Sequence, residues 1–261
     1  MFMFSKFNEL YNYRQMIAGL VHRELRGRYK GSVLGFLWTF LNPLLQWGVY
    51  YFLFGIMLRN DIPNYSVYLF IALVPWLFFS NCLASGCSCI LFNQNLVTKI
   101  YFPREVLPLS FTISSFVNML YCFIVVFIIL IISGIGLSIV PLLYLPLVFM
   151  VEFLLSLGVT LLFCSLTVYL QDLAHILGII AMLMQFTTPI FFSFERVPEE
   201  YKTILQLNPM CSIIECYRSI LYYKEIPDIS TLGLAVVYGV VILVVGELLF
   251  SKLQKGFAEE M

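Results

Sequence analysis

The spacing of the charged residues constrains this chain more than any other feature of its sequence. Short charged clusters alternate with long stretches that contain no Asp, Glu, Lys or Arg. These stretches cover residues 31–58, 62–98, 106–151, 153–171, 173–194 and 229–246. A membrane-spanning helix needs roughly 20 mostly apolar residues, so the lengths of these stretches match those of spanning helices.

The longest stretch, residues 106–151, is too long for one spanning helix, and turn-forming residues at 133–136 and Pro141 divide it. We therefore predict an all-α integral membrane protein with six transmembrane helices. The predicted spans are about residues 34–58, 65–90, 106–132, 142–170, 173–194 and 229–251. Composition agrees, because only 11% of the residues are charged, whereas soluble domains carry about 25%. Basic and acidic residues balance at 15 each, which gives no support for nucleic-acid binding.

The distribution of lysine and arginine predicts the orientation of the chain in the membrane. With six spans, both termini lie on the same side. Segments on that side carry ten Lys and Arg residues, and segments on the opposite side carry five. Basic residues accumulate in cytoplasmic loops. We therefore predict that both termini lie in the cytoplasm.

The N-terminal segment, residues 1–31, is too polar to span the membrane. Its apolar side chains recur at helical spacing, at Leu10, Tyr13, Ile17, Leu20 and Val21. This pattern predicts an amphipathic helix that lies along the inner membrane surface. Such a helix either anchors the chain or offers a docking surface to a cytoplasmic partner. The remaining residues, 32–261, form the predicted six-span domain.

The connection between the second and third predicted spans, residues 91–103, is longer than two adjacent helices require. Leu96, Ile100 and Tyr101 are spaced so that they can form one apolar stripe on a short surface helix. A helix of this kind can dock into a groove on another protein. A passive loop is the alternative.

The largest external segment follows the fifth predicted span and includes residues 196–224. It contains two apolar pieces, separated at Asn208 and Pro209, and each is too short to span the membrane. We predict a re-entrant helical hairpin in which Pro209 is the first residue of a helix capped by Asn208. We expect the charged side chains of the segment, including Arg218, to remain near the membrane interface. The hairpin is a candidate external gate.

The sequence contains few groups that suit catalysis. It has no phosphate-binding loop, no G-x-S-x-G motif and no H-E-x-x-H motif. Its seven cysteines and two histidines lack the spacing of zinc ligands, so we expect no metal site. Glu152 lies inside the fourth predicted span, where an ionisable side chain is a functional candidate; the alternative is a structural carboxyl that is protonated or paired.

The sequence resembles the permease subunits of ATP-binding-cassette polysaccharide exporters, which move O-antigen, capsule or teichoic-acid chains out of bacteria. In that family, a pattern near the first span reads approximately R-E-L-x-x-R-Y-x-x-S-x-L-G-x-L-W-x-x-x-x-P. The matching residues here are Arg23, Glu24, Leu25, Arg28, Tyr29, Ser32, Leu34, Gly35, Leu37, Trp38 and Pro43. Further matches follow in order at residues 99–104, 168–173, 208–209 and 217–218. The chain departs from the family at Gln171, where Arg is frequent, and at Thr188, where Ser is frequent.

The resemblance assigns roles to individual residues. Those expected to couple the chain to an ATPase are Arg23, Glu24, Arg28, Leu96, Lys99, Ile100 and Tyr101. In the substrate pathway, the resemblance places Ser32, Leu34, Gly35 and Trp38. The residues themselves add Trp47, Tyr50 and Tyr51, whose aromatic faces can stack on sugar rings, and Glu152, the ionisable group inside a span. Those expected in the external gate are Asn208, Pro209, Tyr217 and Arg218. Tryptophan and tyrosine also form ordinary interfacial belts in membrane proteins, which is the alternative for the aromatic residues.

The resemblance also implies partners. Family members combine two permeases with two copies of a cytoplasmic ATPase, and ATP and Mg²⁺ bind to the ATPase. The substrate is a lipid-linked glycan, typically carried on undecaprenyl diphosphate, and the membrane is the bacterial cytoplasmic membrane. Two alternatives remain: an exporter of a drug or another small molecule, and a membrane enzyme that modifies glycans. The enzyme would need a cluster of acidic or histidine side chains, and only Glu152, Asp172 and His175 are available.

Overall fold

A computed structural model of the protein describes residues 10–27 and 31–260. Arg28, one of the predicted coupling residues, lies outside these ranges. All regular secondary structure in the described part is helical. In chain order the α-helices are α1 (Arg14–Gly27), α2 (Trp38–Tyr50), α3 (Tyr65–Ala84), α4 (Gln94–Lys99), α5 (Val106–Ile132), α6 (Ile139–Leu142), α7 (Leu145–Tyr169), α8 (Leu173–Thr187), α9 (Glu199–Gln206), α10 (Pro209–Arg218), α11 (Ile229–Leu253) and α12 (Phe257–Glu260).

Four helical regions in the described ranges are both long enough and apolar enough to cross a membrane. They are Tyr65–Ser88, Val106–Ile132, Ile139–Thr167 and Ile229–Gly256. They confirm a helical membrane protein and coincide with the second, third, fourth and sixth predicted spans. The first and fifth predicted spans differ from these four: the first contains polar side chains, and the helix of the fifth is short.

The first predicted span is a continuous helical segment that contains polar side chains. Helix α2 extends through wider, π-helical turns over Tyr51–Met57, so about 20 residues are helical, which corresponds to about 30 Å. Asn42, Pro43 and Gln46 lie within this segment. It is therefore long enough to span, and its amides make it less apolar than the other spans.

The fifth predicted span ends its helix early. Helix α8 has 15 residues and measures only about 22 Å at 1.5 Å per residue. The backbone N–H of Thr188 still donates to the carbonyl oxygen of Met184 over 2.8 Å, and the chain then continues without helical structure to Ser193. Side chains from neighbouring elements bind the carbonyl groups of this extended segment. Backbone polar groups at membrane depth need such hydrogen-bond partners wherever the backbone is not helical.

Close packing holds the bundle together around α3 and along the pair α7 and α11. Helix α3 is the most buried of the four long helices. Gly158 of α7 faces Gly246 of α11, and a Cβ atom on Gly246 would collide with the carbonyl group of Gly158. Small residues at such a crossing let two helix backbones approach closely.

A second cluster of buried apolar side chains lies at one end of the bundle. It combines Leu20 of α1, Val97 of α4, Leu161 of α7, Phe250 of α11 and Phe257 of α12. The N-terminal helix, the 91–103 segment and the C-terminal residues therefore meet at the same end. This arrangement agrees with an even number of spans.

Candidate functional site

A cavity of about 400 Å³ lies between α2, α3, α5 and α8. Its polar lining consists mainly of carboxamide side chains, which come from all four helices: Asn42, Gln46, Asn81, Asn118 and Gln185. Trp38, Trp76, Ser80 and Ser115 also line it. We call this cavity the amide groove. Among the described residues that line it, none is Asp, Glu, Lys, Arg or His.

Hydrogen bonds join the walls of the amide groove. Asn81 Nδ2 of α3 donates to Ser115 Oγ of α5 over 2.8 Å. Gln185 Nε2 of α8 donates to the hydroxyl oxygen of Tyr50 on α2 over 2.9 Å. These two bonds connect the four helices in pairs. Hydrogen bonds between helices therefore hold the walls of the groove in place.

A second cavity, of about 840 Å³, adjoins the amide groove on the side of α1. Its lining includes two arginines and a histidine, namely Arg23, Arg26 and His22. It shares Thr39 and Asn118 with the amide groove. We call it the basic cavity. The two cavities together lead from a positively charged region to an uncharged one.

The residues predicted to line the substrate pathway occupy three different places. Trp38 lines the amide groove, and its indole N–H donates to Ser32 Oγ over 3.0 Å. Tyr50 lies at the edge of the groove through its hydrogen bond with Gln185, and Gly35 lines the basic cavity. Leu34 is exposed in the turn that precedes α2.

Trp47, Tyr51 and Glu152 lie away from the amide groove. The indole N–H of Trp47 donates to the carbonyl oxygen of Ser66 over 2.7 Å, and its ring stacks on Tyr51 at 5.9 Å between centroids. Glu152 is fully buried on α7. Its Oε2 accepts a hydrogen bond of 2.5 Å from the Tyr217 hydroxyl. Glu152 therefore faces the external segment.

The predicted coupling residues of α1 contact the 91–99 region. Arg23 donates a hydrogen bond from Nη2 to Asn93 Oδ1. Glu24 lines a small cavity beside this contact, together with Phe92. Helix α1 therefore packs against the rest of the chain, as both the anchoring and the docking hypotheses allow.

The 91–103 segment contains a short helix, α4, but the exposed apolar side chains of the segment lie on either side of that helix and not in the predicted stripe. Ile100 and Tyr101 are 53% and 96% exposed, and Lys99 is exposed beside them. Leu96 packs against the buried cluster that contains Val97. Phe92, which the sequence pattern did not single out, is 79% exposed. The outward apolar residues are thus Phe92, Ile100 and Tyr101.

In the external segment the structure contains the helix start that the sequence predicts. Asn208 caps α10, because its Oδ1 accepts a hydrogen bond of 3.0 Å from the backbone N–H of Met210. Pro209 is the first residue of the helix. Asn208 Nδ2 also donates to Thr188 Oγ1 over 2.7 Å. The cap therefore ties α10 to the end of α8.

The side chain of Arg218, which the sequence predicts near the membrane interface, is fully buried inside the protein. Its guanidinium forms an ion pair of 3.0 Å with Glu215 Oε1. It also donates to the carbonyl oxygen of Ile190 over 2.9 Å, and it lies 3.7 Å above the ring centre of Tyr68. Burial is possible because the cation is paired, hydrogen-bonded and stacked on an aromatic ring.

Other side chains bind the same extended segment from α3. The hydroxyl group of Tyr65 donates to the carbonyl oxygen of Phe191 over 2.9 Å, and that of Tyr68 donates to the carbonyl oxygen of Phe192 over 3.2 Å. Together with Arg218, these groups satisfy three consecutive carbonyl groups. At the junction between α8 and the external segment, side chains therefore supply the hydrogen-bond donors that backbone N–H groups supply within a helix.

The carboxamides of the amide groove were not predicted from the sequence. Asn81, Asn118 and Gln185 lie in stretches that were recognised by their lack of charge, and an uncharged amide does not interrupt such a stretch. A polar side chain inside a span is costly when it faces lipid, so such side chains face the bundle interior or a cavity. Applied to Asn and Gln, that rule would have identified these positions.

Comparison with known proteins gives matches over nearly the whole chain. The family model for ABC-2 type transporters matches residues 15–222. The O-antigen export system permease protein RfbA of Myxococcus xanthus is 34% identical, over 97% of this chain and 98% of its own length. The protein of that name from Klebsiella pneumoniae is 31% identical, over 94% of each chain. The polysialic acid transport protein KpsM of Escherichia coli is 25% identical, over 90% of this chain and 92% of its own length.

Proposed function

Because the chain belongs to the ABC-2 type transporter family, we propose that it is the permease subunit of an exporter of O-antigen or a similar cell-surface polysaccharide. The observation that carries this proposal is the 34% identity with an O-antigen export permease over almost the full length of both chains. The relatives give no support to an exporter of drugs or to a membrane enzyme that modifies glycans.

The chain is a transport protein of the inner membrane, and ATP hydrolysis lies in a partner subunit. ATP and Mg²⁺ bind to that partner in our proposal. The partner docks at the end of the bundle where α1, α4 and the C-terminal residues meet. The exposed apolar side chains of Phe92, Ile100 and Tyr101, which flank α4, support this location, because exposed apolar patches mark sites of protein–protein contact.

The proposed topology has six spans with both termini in the cytoplasm. Four spans are the long apolar helices. The other two are the helical segment from α2 to Met57 and α8 with its extended continuation. The external segment, residues 196–224, folds back toward the bilayer as a re-entrant hairpin, an arrangement supported by the burial of most of α10.

Two permeases and two ATPase subunits form the proposed complex, and the glycan moves between the permeases. The basic cavity suits the diphosphate of a lipid carrier such as undecaprenyl diphosphate, because Arg and His side chains donate charge-assisted hydrogen bonds to phosphate groups. The amide groove continues from that cavity and receives sugar units. Binding and hydrolysis of ATP shift α1 and α4, and the external segment opens the pathway.

Deletion of the gene for this chain tests the proposed function. We expect the deletion strain to lose one surface polysaccharide and to accumulate its lipid-linked form inside the cell. Export should return with the wild-type chain. It should not return with the Tyr101→Asp variant, even though that variant reaches the membrane, because an added charge in the exposed coupling face weakens docking of the ATPase. An unchanged set of surface polysaccharides in the deletion strain would contradict the proposal.

A further inference from the structure

We propose that the amide groove binds an uncharged sugar segment and that this chain exports a glycan without charged groups in its repeating unit. The inference rests on the proposed function, since it names the substrate class for the same pathway. It starts from the chemistry of the groove: five carboxamides, and no acidic or basic side chain among the described lining residues.

Carboxamides match the hydrogen-bonding groups of sugars. Each Asn or Gln side chain offers two N–H donors and one carbonyl acceptor. A sugar hydroxyl both donates and accepts, so the two groups pair in either direction. A set of amides therefore holds a neutral glycan without requiring one fixed orientation of each hydroxyl group.

Two of the five amides are available for a ligand. Asn42 and Gln46 lie one helical turn apart on α2, on the same face, and both line the amide groove. Asn42 is exposed and Gln46 is half-buried. Neither side chain forms a hydrogen bond with another group in the described ranges. By contrast, Asn81 and Gln185 form hydrogen bonds with neighbouring helices. The first pair thus faces the groove with its donors and acceptors free.

The same groove disfavours a polyanion. Moving a charged group from water into a weakly polar site is far more costly than moving a neutral polar group, unless a counter-charge is present. The described lining of the groove holds no such cation. Arg23 and Arg26 lie in the adjoining basic cavity, which separates the place for an anionic carrier group from the place for the sugars.

The charge of the exported polymer tests the inference directly. The polymer that the deletion strain no longer exports is to be purified from wild-type cells and run on an anion-exchange column. We expect it to pass through unretained, and sugar analysis should find no sialic acid, uronic acid or phosphate in its repeat. A retained, polyanionic polymer would overturn the inference while leaving the export function intact. If no polymer depends on this chain, the proposed function itself fails.

Variants that replace an amide by a carboxylate of the same shape test whether the groove is the site that selects the substrate. Because each substitution replaces the two N–H donors of an amide by a carboxylate that finds no cation in the described lining of the groove, we expect Gln46→Glu and Asn42→Asp each to reduce export by about ten-fold or more, with a normal amount of assembled complex. Gln171→Glu is the matched control, since Gln171 is exposed in the turn between α7 and α8; it should export normally. Normal export by both groove variants would overturn the role of the groove. Dissociation of the permease pair in these variants would do the same, because it would show that the amides bind a second copy.

Discussion

Replacing Arg218 by methionine should destabilise the external segment more than any other single change of charge in that segment. The substitution keeps a long side chain but removes the cation that is paired with Glu215 and bonded to the carbonyl oxygen of Ile190. It leaves a partly buried carboxylate and an unbonded carbonyl group. The Phe192 carbonyl retains the hydrogen bond from Tyr68, so the loss concentrates on Glu215 and Ile190.

The structure allows the magnitude to be worked out. Breaking a buried ion pair by removing one partner costs about 3–5 kcal/mol. The side chain of Glu215 is 26% exposed, so water can solvate part of the remaining charge, and the lower end of that range applies. At roughly 2–4 °C per kcal/mol for a chain of this length, a cost of about 3 kcal/mol lowers the melting temperature by about 6–12 °C.

The assay is the thermal stability of the purified complex, measured by size-exclusion chromatography after heating. Arg196→Met is the matched control, because Arg196 is exposed in the same external segment. Arg218→Lys should lie between the two, since it keeps the charge but cannot reproduce the planar fork of a guanidinium. The reasoning is refuted if Arg218→Met melts within about 2 °C of Arg196→Met, the small shift expected of a surface substitution.

Three other predictions follow from the placement of particular residues. The purified chain without partners should hydrolyse no ATP, as measured by phosphate release, and steady turnover would contradict a permease role. Combined Ile100→Asp and Tyr101→Asp substitutions should abolish export and leave the melting temperature unchanged, whereas Leu96→Asp should lower it, because Leu96 packs against a buried cluster. In a cysteine-free background, Ser212→Cys should be protected from an external thiol reagent at rest, because Ser212 is buried, and should react once the pathway opens. Labelling in every state would argue against a gate.

The sequence predicts correctly those elements that are determined by residues close together along the chain. Long apolar stretches correspond to the four long helices because the length of a span is set by bilayer thickness. The start of α10 at Pro209, with Asn208 as its cap, was predictable because the cap and the N–H that it binds are two residues apart. Both features depend on nearest neighbours along the chain.

The burial of Arg218 was not predicted, because the groups that stabilise it come from separate elements. Tyr68 belongs to α3, Ile190 to the segment after α8, and Glu215 to α10. No pattern within the external segment shows that a ring and a carbonyl group will meet the guanidinium. The inward packing of Leu96, which is partly buried, has the same kind of cause, since the buried residues that it contacts come from distant helices.

The two predicted spans that depart from a simple apolar helix are the two that flank the amide groove on its open side. Helix α2 carries Asn42 and Gln46, and α8 ends early at Thr187. These helices also bury few residues: only Thr39 and Pro43 in α2, and only Leu177 and Ala181 in α8. Departures from local sequence rules are expected at functional sites. In the proposed complex, a second permease that packs against α2 and α8 would cover their exposed apolar side chains and would close the groove into a pathway.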